Sequence, residues 1–210
     1  MADAGCRISR WFHAFKPTWG IVFAALVIGL SMRISIGRTS TDLSTEQLSQ
    51  LEQGDILVAV DKADGPARGT VEATILIDAP AQRIWKVMID CGEIPTFVPG
   101  VQACKVLDSG ENWEVIRHDV KWIWFFPRLS YVFKARYQPN RQIHFTRIGG
   151  DLREMRGSWQ LIPIKRSNST LVRYRVYLDP GFLIPQWLVR NALKSDLPAV
   201  LAALRTKVLS

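Results

Sequence analysis

The acid–base chemistry open to this 210-residue chain rests on three histidines and nineteen carboxylates, and their spacing argues against most of it. His118 and Asp119 form the one close histidine–carboxylate pair. Neighbours along a strand point to opposite faces, so the two read as surface strand residues rather than a catalytic dyad. His144 alternates with Ile143 and Phe145, which turns it toward solvent. Asp90 and Glu93 resemble paired carboxylates, yet at the end of a helix their simpler role is to cap the next turn. Asp151, behind Gly149-Gly150, suits a turn. Cys91 and Cys104 lack the C-x-x-C spacing of a zinc or redox site. They read as two small buried thiols, with a disulfide as the alternative if the domain is exported. No G-x-S-x-G, H-E-x-x-H, P-loop or G-x-G-x-x-G occurs, so the commonest hydrolytic, zinc and nucleotide chemistries have no motif here. No catalytic residue, metal ligand or cofactor is assigned.

What the chain has in excess is apolar rings. Eight Trp and nine Phe imply either a bulky core or an apolar surface. The balance of 27 Lys+Arg against 19 Asp+Glu gives a net charge of +8. These cations are scattered along strand-like segments without a Lys/Arg block, which argues against a nucleic-acid partner. The charge-free run from Pro17 to Met32 lies between Arg7, Arg10 and Lys16 on one side and Arg33 and Arg38 on the other. As a helix it would span about 24 Å, a marginal membrane crossing completed by an interfacial Trp19 and snorkelling cations. An uncleaved anchor is favoured over a signal peptide, because no A-x-A precedes a cleavage point and Arg33 intrudes where small residues are expected. In both cases the charge asymmetry leaves the N-terminus in the cytoplasm and sends the rest to the outer side; cleavage would yield an exported soluble form.

The elements that must position any site lie beyond this segment. Residues 33–50 are polar and suit a linker or a short surface helix, and the folded domain begins near Leu51. The stretch from Gly69 to Ile77 is β-branched and continues an earlier strand at Ile56 to Val60. Asp78-Ala79-Pro80 then caps a helix with Ile84, Val87 and Met88 on one face. A second helical turn from Gly92 to Phe97 stops at Pro99-Gly100. Six strand candidates follow as an antiparallel meander, with turns at Asp108-Ser109-Gly110, Pro139-Asn140, Gly149-Gly150 and Ser167-Asn168. Three of them alternate clearly: Tyr131, Phe133, Ala135, Tyr137; Met155, Gly157, Trp159, Leu161; and Val172, Tyr174, Val176, Leu178. Each therefore has one covered and one wet face. The cover is a long helix opened by Pro185, with Val189, Leu193, Leu197, Leu201, Leu204 and Val208 in a stripe and Pro198 kinking rather than ending it.

This order, with Ile77-Asp-Ala-Pro80 leading into Ile84-Trp85, then Ile94-Pro-Thr-Phe-Val-Pro99, Gly150-Asp-Leu152, Gly157-Ser-Trp159, Asp179-Pro-Gly181, Pro185-Gln-Trp187 and Asp196-Leu-Pro198, resembles the START-like (helix-grip, SRPBCC) superfamily. Within it, the coenzyme Q-binding and polyketide cyclase/dehydratase-like branch is the most similar. The resemblance covers residues 51–210. It implies an α+β fold in which a bent antiparallel sheet of about seven strands wraps a long C-terminal helix, with two short helices after the first strand. The chain then divides into a basic segment at 1–16, the hydrophobic segment at 17–32, a linker at 33–50 and a ligand-binding domain at 51–210, expected to be monomeric.

The function expected from this reading is binding, and possible transport, of a quinone, sterol or other lipid-like molecule at a membrane. The alternatives are a cyclase/dehydratase-like enzyme and a scaffold whose cavity is filled by Trp159, Tyr174 and their neighbours. Trp113, Tyr131, Phe133, Phe145, Trp159, Tyr174, Val176, Leu188 and Ala192 are the candidate ligand-binding residues. Trp122, Trp124, Phe125 and Phe126, with Phe182 and Trp187, are candidates for an apolar entrance facing the bilayer.

Overall fold

The computed structural model describes residues 43–60, 70–121, 128–165, 167–181 and 186–210, all within the compact unit that runs from Ser40 to Ser210. Its elements are α1 (Thr45–Glu52), β1 (Leu57–Val60), β2 (Val71–Ile77), α2 (Ala81–Ile89), α3 (Ile94–Phe97), β3 (Val101–Gly110), β4 (Trp113–Val120), β5 (Leu129–Gln138), β6 (Gln142–Gly150), β7 (Glu154–Pro163), β8 (Thr170–Asp179) and α4 (Gln186–Leu209). The hydrophobic segment at 17–32 lies outside the described residues. Among those described, no helix is long and apolar enough to cross a membrane.

Among the described residues, eight strands form one antiparallel sheet in the order β1-β2-β8-β7-β6-β5-β4-β3. That is one strand more than the alternation suggested. The residues at 57–60 do not continue into β2 but fold back on it, Leu57 opposite Thr74 and Val60 opposite Val71. Two other details differ from the sequence reading. Asp78 is not the cap of α2, a place taken by Pro80; its carboxylate instead accepts a hydrogen bond from the Ser169 hydroxyl at 2.7 Å. Asp108, Ser109 and Gly110 belong to β3, so the chain reverses at Glu111-Asn112. Asp90 does cap the turn before α3, accepting from the backbone N–H of Gly92 and Glu93.

Two glycines fix how closely the strands approach. Gly150 adopts φ +88°, and a Cβ there would meet the Ser130 carbonyl oxygen at 2.3 Å. Gly157 lies opposite Phe145, and a Cβ there would stand 2.3 Å from the Phe145 ring and 2.2 Å from the Arg175 carbonyl oxygen. The missing side chain is what lets the Phe145 ring approach β7 this closely.

The core forms where α4 meets the sheet. Helix α4 packs on β2, with further contacts to β1, β8, α2 and α3. Val71, Ala73, Ile75 and Ile77 of β2 are fully buried there, together with Leu201, Leu204 and Val208 of the helix. The helix continues through Pro198 to Leu209. Because it seats on the β1–β2–β8 side, the inner faces of β4 to β7 lie opposite it without being filled by it.

Candidate functional site

Between those inner faces and α4 lies a cavity of about 350 Å³, within the range of small-molecule sites. Each strand contributes the residues its two-residue period turns inward: Ile116, His118 and Val120 from β4, Tyr131 to Tyr137 from β5, Ile143 and Phe145 from β6, Met155 and Trp159 from β7, and Tyr174 to Leu178 from β8. Ile94 and Phe97 of α3 close one side, and Leu193, Asp196, Leu197, Val200 and Leu204 of α4 the other. The wall is largely aliphatic and aromatic. Trp159 and Tyr174 stack face to face at 3.8 Å, and Phe145 joins Phe133 to Tyr174 through contacts of 6.2 and 6.1 Å. Such ring pairs add about 0.5–1.5 kcal/mol each beyond the area they bury.

Polar groups are few. The Tyr137 hydroxyl donates to Glu114 Oε2 at 2.6 Å; burial, and after it this bond to the carboxylate, raises its pKa well above the ordinary phenol value. Burial, and secondarily the neighbouring Tyr131, raises Tyr174 in the same way, and burial pushes Tyr131 up to about 12. His118 lies directly opposite Tyr131 in the ladder, its Nδ1 3.3 Å from the Tyr131 hydroxyl and its ring edge-on to Phe133. Burial lowers the His118 pKa to about 4, only partly offset by Asp119. At neutral pH the imidazole is uncharged.

Six of the nine expected ligand-binding residues come together in this wall: Tyr131, Phe133, Phe145, Trp159, Tyr174 and Val176. Trp113 does not. It is out of phase with Ile116, His118 and Val120, and on the outer face its ring receives Lys134 Nζ at 3.8 Å. Leu188 and Ala192 are also outside the wall; Leu188 is 47% exposed. The helix presents Leu193, Asp196 and Val200 instead, a face rotated by about one residue. Trp187, 59% exposed, stands at the start of α4, whereas Trp122, Trp124, Phe125, Phe126 and Phe182 lie outside the described residues.

His118 corrects the sequence reading most directly. The argument that adjacent strand residues diverge holds, and Asp119 does turn outward to pair with Arg117. It is His118 that turns inward. The alternation Ile116, His118, Val120 carried that signal. His144, by contrast, is exposed. Cys91 and Cys104 are joined in a disulfide rather than left as thiols, their Cα atoms 5.4 Å apart; the turn after α2 brings Cys91 against β3. Among the described residues, no cluster of three or more His, Cys, Asp or Glu could hold a metal ion.

Residues 77–205 match the model of the family described as polyketide cyclase / dehydrase and lipid transport. The chain belongs to that family. No curated protein matches it. Among solved structures, the STAR-related lipid transfer protein from Xanthomonas axonopodis is similar at 18% identity and TM-score 0.64, over 74% of this chain and 94% of that one. A START superfamily protein from Mycobacterium smegmatis is similar at 20% identity and TM-score 0.59, over 67% and 97%. The Zhui aromatase/cyclase from a Streptomyces species is similar at 17% identity and TM-score 0.55, over 67% and 93%. The shared feature is the fold, a START-like sheet with a C-terminal helix.

Proposed function

We infer that this chain binds a hydrophobic small molecule, such as a quinone, sterol or other lipid, or a polyketide-like compound, in the cavity between the sheet and α4. The cavity itself, about 350 Å³ behind a mainly aromatic and aliphatic wall, carries the reading. Burial of apolar surface, worth roughly 25 cal/mol per Å², supplies affinity without any catalytic group. The names of the lipid transfer and aromatase/cyclase neighbours are in keeping with both a carrier and an enzyme. A cyclase/dehydratase is the second reading, favoured by the His118–Tyr131 pair inside the cavity, since proton transfer at a bound polyketone needs a group of this kind. We place the domain at a membrane, held by the segment at 17–32 on its outer side; the Cys91–Cys104 disulfide supports an oxidising compartment.

Native mass spectrometry of the purified full chain, followed by solvent extraction, tests the binding reading. Copurified hydrophobic cargo, lost in a Val176→Trp variant that fills the cavity, is the expected result. Identical extracts from both proteins would refute it. Release of water from a poly-β-ketone thioester incubated with the chain, abolished by His118→Phe, would favour the enzyme.

A further inference from the structure

We propose that the end of the domain where the cavity reaches the surface docks on an anionic lipid bilayer, through exposed apolar side chains set among unpaired cations. This deepens the membrane placement proposed above and rests on it. Strand register defines that end. Val101 of β3 pairs with Val120 of β4, and Val120 with Leu129 of β5; Tyr131 pairs with Gly150 of β6, and Glu154 of β7 with Asp179 of β8. The starts of β3, β5 and β7 and the ends of β4, β6 and β8 therefore lie together, and α4 begins shortly after Asp179. Val101, Val120 and Leu129 line the cavity, and Pro99, in the turn before β3, both lines it and is exposed. The cavity thus opens at this end.

Three large apolar side chains stand in solvent here: Ile148 is 54% exposed, Trp187 59% and Leu188 47%. The turns of the opposite end, at 111–112, 139–141 and 167–169, expose none among the described residues. Charge then selects the partner. Trp187, Arg190 and Lys194 recur at three- and four-residue steps, so the first turns of α4 set a ring and two cations on one face. Lys121 and Arg128, both exposed, flank the ends of β4 and β5. Among the described residues none of these four cations has an ion-pair partner. The carboxylates nearby are already engaged, Asp119 with Arg117, Glu154 with Arg156, Asp179 with Arg153 and Asp151 with the Ser130 backbone N–H, while Asp196 lines the cavity. Uncompensated cations around an apolar tip match phosphate headgroups above acyl chains. A neutral bilayer answers only the apolar half of that surface.

The test uses the full chain reconstituted in vesicles of phosphatidylcholine with or without phosphatidylglycerol, a fraction of the phosphatidylcholine being brominated on its acyl chains. Bromine quenches a tryptophan only at close approach, and the Trp187 signal is isolated by subtracting that of W187F in the same background. Trp187 is expected to be quenched in the anionic vesicles. Its quenching should fall by at least about twofold in the neutral vesicles, at high salt and in the K121Q/R128Q/R190Q/K194Q variant. Ile148→Ser should also weaken it while leaving the melting temperature unchanged, because that side chain is already in solvent. R141Q/K165Q, at the opposite end, should behave as the wild type. A chain that floats with anionic vesicles while Trp187 stays unquenched would overturn the docking surface and leave the membrane placement standing. Equal quenching in both vesicles, unchanged in the fourfold variant, would overturn the anionic-lipid assignment. Trp187 shielded from acrylamide yet unquenched by bromine would assign this end to a second copy of the chain instead. Failure to float with either vesicle would overturn the membrane placement itself.

Discussion

A histidine held neutral inside a protein makes its stability respond to pH. The His118 pKa is lowered to about 4 from the ordinary 6.5, chiefly by burial among Phe133 and Tyr131 of β5, with the Asp119 carboxylate on the outer face pulling weakly the other way. Between those two values the unfolded chain binds a proton that the folded chain does not. The histidine's contribution is thus fully present above about pH 6.5 and declines as pH falls toward 4, where the loss levels off at about 3 kcal/mol. In His118→Phe this component should vanish. Urea unfolding of both proteins at intervals from pH 7 to pH 4 measures it, and parallel curves would show that the imidazole is solvated. At this scale the sequence was only half legible. Tyr131, Phe133, Trp159 and Tyr174 could be assigned to one face because rings alternate there with Lys134, Arg136, Arg173 and Arg175. His118 could not, since a polar residue on an inward position looks the same as one on an outward position until the phase of its strand is fixed by Ile116, which is buried, and Val120.

Among the elements, register is set where side chains are absent as much as where they interlock. Gly157 faces Phe145, and the Arg175 carbonyl oxygen stands on its other side. A methyl group cannot be accommodated by moving the ring alone, because the backbone contact at 2.2 Å is just as close. Gly157→Ala should therefore cost on the order of 1–3 kcal/mol or more through forced strand separation, read as a lowered denaturation midpoint with an altered Phe145 environment by NMR. On α4 the buried stripe divides into two uses. Leu201 is fully buried against β2, whereas Leu193 and Leu197 also border the cavity. Leu201→Ala should cost about 2–5 kcal/mol, as for a packed core leucine. Leu193→Ala should cost less and enlarge the ligand space, which comparative melting with and without a hydrophobic probe would reveal. The stripe at Val189, Leu193, Leu197, Leu201, Leu204 and Val208 was readable from spacing. Which flank of it meets the void was not, because that depends on where the helix seats along the sheet; Leu188 and Ala192 lie one step around from the residues that line the cavity.

For the whole molecule, the decisive relation is between a helix anchored at one side of the sheet and a sheet that extends past it. That gap must be held open, and one wall of it is short. Helix α3 has four residues, none fully buried, yet Ile94 and Phe97 line the cavity. A single helical turn has little stability of its own. Two ties hold it: the Cys91–Cys104 disulfide, which fixes the chain just before α3 to β3, and the exposed Glu93–Lys207 ion pair to the end of α4 at 2.6 Å, which holds the Glu93 carboxyl below its usual pKa. The ion pair is exposed and screened, worth little by itself. The disulfide closes a loop between positions 13 residues apart, and cross-links of that size stabilise by about 3 kcal/mol. Replacing both cysteines by serine should lower global stability by about that amount. Its effect on binding should be larger than its effect on the sheet, since the freed segment is the one that borders the void. Hydrogen exchange should then rise first across residues 91–100 while β2 and β8, sealed under α4, stay protected. Uniform exchange across the sheet and α3 would mean that the disulfide stabilises the fold as a unit and does not specifically hold the cavity wall.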